Sequence, residues 1–90
     1  MNNWRIKFDT KAEKRFYKLP LNIQELILDY LYNRILILDH PKLSGKALRG
    51  KKKGLWRYRV EKFRIICKLE EDKLIILIVK IAKRDVVYED

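Results

Sequence analysis

The first part of the chain changes from an alternating pattern of apolar and polar residues to a helical one. Residues 4–8 alternate between large apolar and basic side chains, which predicts a half-buried β-strand. Thr10 is followed by Glu13 three residues later, a capping-box pattern that predicts a helix beginning at Thr10. The predicted apolar stripe of this helix, at helical spacing, consists of Ala12, Phe16 and Leu19.

A second helix is predicted after Pro20, where Asn22 is the candidate N-cap. Apolar residues then recur at helical spacing, opposite a polar face. The helix is expected to end near Asp39, because His40 precedes Pro41 and a residue before proline disfavours the helical conformation. Two helices joined by a short link form a hairpin that can cover one face of a sheet.

The segment from 41 to 54 contains three glycines and is predicted to be a long basic loop, with Leu43 and Leu48 as its anchors into the core. Residues 55–60 and 63–69 then alternate as strands do. Residues 74–81 are almost continuously apolar, which predicts a strand that is buried on both faces or covered by a partner.

The order of these elements predicts one α+β domain over residues 1–90. It consists of an N-terminal strand, a helical hairpin and an antiparallel β-meander, with a short, polar-ended segment, 83–88, at the end. The helices cover one face of the sheet. By strand parity, the other face carries Arg57, Arg59 and Arg64.

The charge of the chain is concentrated in one window. The net charge is +10, and residues 42–64 contain ten basic residues against the single acid Glu61. The rest of the chain is nearly balanced, so the excess marks a surface. The run from Lys51 to Lys53 could be an ordinary solvated loop, but that interpretation does not explain why arginines continue into the strands.

Other features of the composition exclude several functional classes. Cys67 is the only cysteine and is predicted to be a small buried apolar residue in a reducing compartment. The one histidine, His40, lies in a predicted loop, so neither a metal cluster nor an activated thiol is expected. No cofactor is predicted. The N-terminus has no secretory pattern and no apolar run could span a membrane, so a cytoplasmic protein is expected.

The three strand arginines would repel one another unless an anion lies between them, and a guanidinium is suited to bidentate contact with phosphate. They form either a site for the phosphate backbone of a nucleic acid or a set of ion pairs with a partner's carboxylates. The nucleic acid is favoured, because the window offers only Glu61 as an internal partner.

Four segments in this order resemble the RelE-type toxins of the RelE/ParE toxin–antitoxin superfamily: Lys-Ala-Leu-Arg-Gly at 46–50, Leu-Trp-Arg-Tyr-Arg-Val at 55–60, Phe-Arg-Ile-Ile at 63–66 and Lys-Arg-Asp-Val-Val-Tyr at 83–88. The resemblance covers nearly the whole chain and implies a sheet of the microbial-RNase type. It also implies a type II toxin that inhibits translation as a ribosome-dependent, metal-independent endoribonuclease, cleaving mRNA in the ribosomal A site.

The resemblance also assigns the site residues. Arg64 and Arg84 match the family's catalytic arginines, and Tyr88 matches its C-terminal catalytic tyrosine. Arg57 and Arg59 occupy the positions of a basic pair that is often lysine in the family. An arginine does not give up its proton in proteins, so this pair is not expected to act as a base.

The expected chemistry follows from these residue types. Tyr88 either takes the proton of the 2′-hydroxyl or orients it, and surrounding arginines would favour its phenolate. Arg57, Arg59 and Arg64 stabilise the charge that develops on the phosphate, while Arg84 faces the leaving oxygen. A basic loop is expected to contact ribosomal RNA phosphates through Lys46, Arg49, Lys51, Lys52 and Lys53.

Two alternatives remain open: a ParE-like, non-enzymatic inhibitor of DNA gyrase, and a nucleic-acid-binding module without chemistry. The joint presence of Arg64, Arg84 and Tyr88 favours the nuclease. The expected partners are mRNA, the 70S ribosome and an acidic, RelB-like antitoxin, with no membrane. Leu36, Ile37 and the apolar strand 74–81 are possible docking places for the antitoxin, although a core position is favoured for the strand.

Overall fold

A computed structural model describes residues 2–50 and 54–83 of the chain. The described strands are β1 (Arg5–Phe8), β2 (Lys46–Ala47), β3 (Trp56–Val60), β4 (Phe63–Glu70) and β5 (Ile75–Lys83). The helices are α1 (Thr10–Tyr17) and α2 (Leu21–Tyr30), and α2 continues into a π-helical turn at Leu31–Ile35. A 3₁₀ turn at Pro41–Leu43 precedes β2. The predicted α+β class is confirmed.

The five strands form one mixed sheet in the order β1-β5-β4-β3-β2. The predicted antiparallel meander is confirmed, since β4 pairs antiparallel with both β3 and β5. β1 pairs with β5 in parallel. A parallel neighbour requires a crossover connection, and the helical hairpin that follows β1 begins it.

Strand β2 was not predicted. It lies inside the segment that the glycines had indicated as a loop, and it pairs antiparallel with β3 through the Lys46–Arg57 and Ala47–Trp56 partners. A strand of two residues is too short to show an alternating pattern. The adjacent part of the basic segment, Lys51 to Lys53, lies outside the described residues.

Helix α1 begins at Thr10, as predicted, but its N-cap is Asp9, whose carboxylate accepts a hydrogen bond from the backbone N–H of Ala12 at 2.8 Å. Both predicted boundaries of the second helix were wrong. Pro20 occupies the N-cap position of α2, so Asn22 lies within the helix. The other wrong boundary is the end of this helix.

That helix ends at Ile35, four residues before the predicted boundary at Asp39. The side-chain amide of Asn2 donates hydrogen bonds to the carbonyls of Leu38, at 2.8 Å, and Ile35, at 3.2 Å. These long-range contacts satisfy carbonyl groups at and after the helix end, where intrahelical donors are missing. The helix therefore ends on a tertiary contact that local sequence patterns do not contain.

The core lies between the helices and the inner face of the sheet. Its fully buried members come from both layers and include Ile27, Leu31, Ile35, Tyr58, Ile65, Cys67, Ile76 and Ile78. The predicted burial of Cys67 is confirmed, and this burial raises the pKa of its thiol, which disfavours the reactive thiolate.

The apolar strand β5 is buried as predicted. A register shift at Ile66/Cys67 of β4 allows both Ile78 and Ile81 of β5 to contribute to the core, although they are three positions apart and would otherwise point to opposite faces. Ile75 and Ala82 of β5 are also buried. In contrast, Leu74 is 40% exposed and Ile37 is 54% exposed.

Of the two predicted loop anchors, only Leu48 is buried, at 9% exposure. Leu43 is 67% exposed, so its assignment as an anchor was wrong. Pro41, which opens the 3₁₀ turn, is buried in its place. Within the described part of the chain, no helix is long and apolar enough to cross a membrane.

Candidate nucleic-acid interface

The sheet face opposite the helices brings three of the predicted site residues together. Arg59 of β3 lies directly opposite Arg64 of β4 in the antiparallel register. Side chains at directly opposed positions point to the same face, with Cβ atoms about 4.5–5.5 Å apart. Arg57 lies two residues before Arg59 on the same strand and therefore also faces outward.

Arg64 is the more enclosed member of the opposed pair. Arg59 is exposed, whereas Arg64 is half-buried. The Nε atom of Arg64 is buried, and no described residue accepts a hydrogen bond from it. A buried donor without an acceptor is costly, so an anion that reaches this face would gain a hydrogen bond as well as two opposed positive charges.

Two lysines join the arginines on this face, each through the register of the sheet. Lys46 of β2 is directly opposite Arg57 of β3, and Lys80 of β5 is opposite Ile66 of β4, which is itself opposite Arg57. The four positions form one row across four strands. Lys46 had been predicted as a loop contact, and Lys80 had not been predicted.

A signal for Lys80 is present in the sequence. It is a lysine within an otherwise apolar strand, and a central strand can place such a residue only on an open face. The outward-facing positions of the described strands also include Arg5, Lys7 and Lys68, with Glu70 as the acidic residue among them. This face therefore carries many more cations than acids, with apolar residues such as Ile66 and Ile75 between them.

Two aromatic residues of β3, Trp56 and Tyr58, hold the segment that carries Lys46 through hydrogen bonds to its backbone. The indole N–H of Trp56 donates to the carbonyl of Ser44 at 2.7 Å, and the hydroxyl of Tyr58 donates to the carbonyl of Pro41 at 2.6 Å. Tyr58 is fully buried, and this burial raises the pKa of its hydroxyl, which keeps the donor protonated.

Gly45 is required where this segment crosses β3. Its φ is +80°, and an added Cβ would lie 2.5 Å from the carbonyl oxygen of Arg57. Only a residue without a side chain permits this approach. The position of Lys46 opposite Arg57 thus depends on the glycine before it.

A second polar cluster lies outside this face. The ring of His40 packs edge-on against Trp4, with ring centroids 5.4 Å apart, and its Nε2 lies 3.4 Å from the carboxylate of Glu71. Lys42 Nζ lies 3.5 Å from the same carboxylate. Within residues 2–50 and 54–83, no group of three His, Cys, Asp or Glu side chains could hold a metal ion.

Of the remaining predicted site residues, one is exposed and the others lie outside the part of the chain that the structure describes. Arg49 is exposed and lies just after β2. Arg84 and Tyr88, together with Lys51, Lys52 and Lys53, fall outside the described residues. The structure thus places Arg57, Arg59, Arg64 and Lys46 on one face, and the roles of all these residues remain predictions.

Comparison with known proteins gave one family match. The family described as ParE toxin of type II toxin–antitoxin system, parDE, matches residues 6–88 of the chain. No curated protein matches the sequence with significance.

Solved structures of toxins share the fold. The toxin–antitoxin complex RelBE2 from Mycobacterium tuberculosis aligns with a TM-score of 0.81 and 21% identity, over 93% of this chain and 94% of the other. The isolated Escherichia coli RelE toxin aligns at 0.74 and 19%, over 93% and 87%. The archaeal RelE–RelB complex from Pyrococcus horikoshii aligns at 0.67 and 20%, over 93% and 98%.

Proposed function

This chain belongs to the family of ParE toxins of type II toxin–antitoxin systems, and we propose that it cleaves mRNA in the ribosomal A site. In this proposal the toxin is a ribosome-dependent endoribonuclease that inhibits translation. The single observation that carries the proposal is the direct opposition of Arg59 and Arg64 on the open sheet face, beside Arg57. The RelE-like fold is consistent with it.

The opposed arginines suit phosphoryl transfer better than a structural role. Two cations at directly opposed positions destabilise a sheet, so they are retained at a cost to stability. In RNA cleavage the 2′-oxygen attacks phosphorus, the bond from phosphorus to the 5′-oxygen breaks, and negative charge builds up on the phosphate oxygens. Fixed guanidinium groups stabilise that charge, and losing one such donor typically slows a reaction about a hundred- to a thousandfold.

Proton transfer is assigned to residues known only from the sequence. Tyr88 takes the proton of the 2′-hydroxyl or orients that group, and Arg84 faces the 5′-oxygen that leaves. Arg57 and Arg59 do not serve as the base, because a guanidinium keeps its proton. The proposed chemistry uses side chains only and is independent of a metal ion.

The remaining cations fit a second role at the ribosome. Arg49 and Lys51–Lys53 would contact ribosomal RNA phosphates without reading sequence, and Lys46 would contact an RNA phosphate closer to the strand arginines. Positioning by the ribosome would then supply much of the rate, since arginine is a poor general acid. Ribosomes and translated messages also place this activity in the cytoplasm.

An antitoxin partner follows from the type II system to which the chain belongs. The similar structures from Mycobacterium tuberculosis and Pyrococcus horikoshii are both toxin–antitoxin complexes. We expect the cognate antitoxin to be acidic and RelB-like, because the open face of the sheet carries many cations. Ile37, at 54% exposure, and the half-buried Leu36 remain available to such a partner, whereas most of strand β5 is core.

Inhibition of DNA gyrase is the second candidate, and the description of the matching family favours it, since that description names ParE. A gyrase inhibitor acts by binding and needs no catalytic residues. The two functions therefore differ in whether the open face performs chemistry or only binds.

Primer extension on a translated message separates the two functions. The nuclease proposal predicts breaks at codon positions with wild-type protein, and their loss with Arg64→Ala and with Tyr88→Phe. Lys14→Ala, an exposed substitution on helix α1, is the matched control and should cleave normally. Inhibition of supercoiling by purified gyrase, with an intact message, would reject the nuclease in favour of the alternative.

A further inference from the structure

A cleft at the edge of the sheet adjoins the opposed arginines and shares Arg59 with them. It has a volume of about 210 Å³ and is lined by Tyr30, Gly45, Lys46, Arg57 and Arg59. The geometry points to this cleft as a subsite for a phosphate of the RNA strand that adjoins the scissile phosphate. The inference rests on the proposed function, which places the scissile phosphate at the Arg59–Arg64 pair.

The charge of the lining selects an anion. Three of the five lining residues are cations, and Lys46 and Arg57 are directly opposed across β2 and β3. A neighbouring cavity of about 250 Å³ shares Tyr30 and Arg59 but is also lined by Arg34, Asp29 and Glu61. Its two carboxylates balance its two guanidinium groups, whereas no carboxylate lines the first cleft, so the anion is expected in the first cleft.

The spacing of the arginines separates two phosphate positions. Arg57 and Arg59 are two residues apart on one strand, about 6.7 Å, which is on the scale of one nucleotide step. Arg59 lies between the cleft and Arg64, since it lines the cleft and is also opposite Arg64. One phosphate can then lie at Arg59 and Arg64 and the adjoining one at Arg57 and Lys46.

The wall of the cleft is held in place before any ligand arrives. The hydrogen bond from Trp56 to the Ser44 carbonyl fixes the backbone next to Gly45, and Gly45 in turn contacts β3 closely. A site that does not have to be ordered on binding loses less affinity to conformational entropy. Lys46 is therefore presented from a fixed backbone.

Tyr30 completes the cleft from the helical layer. Its ring packs edge-on against Tyr58 with centroids 6.1 Å apart, and its hydroxyl lies 3.4 Å from the hydroxyl of Ser44. That contact is at the long limit for a hydroxyl pair. The hydroxyl of Tyr30 can therefore donate to a phosphate oxygen at little cost.

The test compares two uncleavable RNA dinucleotides, made with 2′-O-methyl groups. One dinucleotide carries an added terminal phosphate, and it is prepared with this phosphate either at the 5′ end or at the 3′ end. The other dinucleotide has no terminal phosphate. With wild-type protein, fluorescence anisotropy should show about tenfold tighter binding for one of the phosphorylated versions, as expected for a charge-assisted hydrogen-bonded contact.

Lys46→Ala should remove most of that gain, and Tyr30→Phe should reduce it about two- to threefold, with unchanged far-UV circular dichroism. The slope of log K against log salt for the phosphorylated RNA should fall by about 0.7 in Lys46→Ala, the loss of one phosphate contact on a single strand. Lys14→Ala, on the opposite layer, is the matched control and should keep the full gain.

The outcomes distinguish the subsite from the proposed function. A protein that cleaves translated messages but gains nothing from the added phosphate, or gains equally in Lys46→Ala, overturns the subsite alone. A protein that shows the Lys46-dependent gain but cleaves no message overturns the nuclease function and leaves the phosphate subsite standing.

Discussion

Arg59→Gln should make the protein more stable, because Arg59 lies directly opposite Arg64 and two residues from Arg57. Two guanidinium charges about 6 Å apart repel by about 0.7 kcal/mol in water. At about 0.1 M salt, screening reduces this to about 0.4 kcal/mol. The second repulsion, from Arg57 at about 7 Å, adds roughly 0.3 kcal/mol. The free energy of unfolding should rise by about 0.7 kcal/mol in total.

Urea denaturation measures this change. With an m-value of about 1 kcal/mol per molar, the midpoint should rise by about 0.7 M at about 0.1 M salt. In about 1 M salt, where the Debye length is near 3 Å, most of the difference should disappear. The same variant should bind RNA more weakly and cleave more slowly, as expected where function is maintained at the cost of stability.

The control is Arg5→Gln, a strand arginine on the same face whose direct partner is Ile75. It changes the net charge equally but removes no opposed cation. Only the repulsion from Lys7, two residues along the same strand, is lost, so its midpoint should rise by less than half as much. If Arg59→Gln lowered the midpoint, or raised it by the same amount in high salt, the repulsion argument would be refuted.

Tyr58→Phe should lower the free energy of unfolding by about 1–2 kcal/mol in urea titrations, because it leaves the buried Pro41 carbonyl without its donor. Gly45→Ala should cost more than about 1 kcal/mol and should weaken phosphate binding, because the added Cβ strains a residue at positive φ and meets β3. Wild-type stability, followed by thermal melts from pH 8 to 11, should fall above the ordinary thiol pKa of 9.0. Burial raises the pKa of Cys67 in the folded state, so the unfolded chain releases its proton first and is favoured as the pH rises. Cys67→Ala should flatten the first part of that decline, and an unchanged pH profile would contradict the assignment.

Family and fold do not by themselves separate the two candidate activities. One toxin fold can support a nuclease or an inhibitor, and the difference lies in side chains on the open face. The matching family is described by ParE, whereas the similar solved structures are RelE toxins at about one-fifth identity. Substitution of the opposed arginines therefore separates the two activities more directly than family or fold does.

Much of the fold could be predicted from the sequence because its signals are local. Alternation over residues 4–8 and 55–60 reports a strand with one buried face, and the same parity placed Arg57 and Arg59 on the open side. Helical spacing and proline positions indicated the hairpin. The cationic surface could also be located from the sequence, because the excess charge is concentrated in residues 42–64.

The features that depend on contacts between residues far apart in the sequence were decided by the tertiary structure. The opposition of Arg59 to Arg64, and of Lys46 to Arg57, is a matter of strand register, which composition and periodicity do not specify. Asn2 helps to end the second helix from across the chain, and the two-residue strand β2 forms only because β3 is there to receive it. A sequence reports which face a side chain takes along its own strand. Which side chain stands beside it on the next strand is set by the packing of the whole sheet, and here that packing forms the cationic pairs from which the function is inferred.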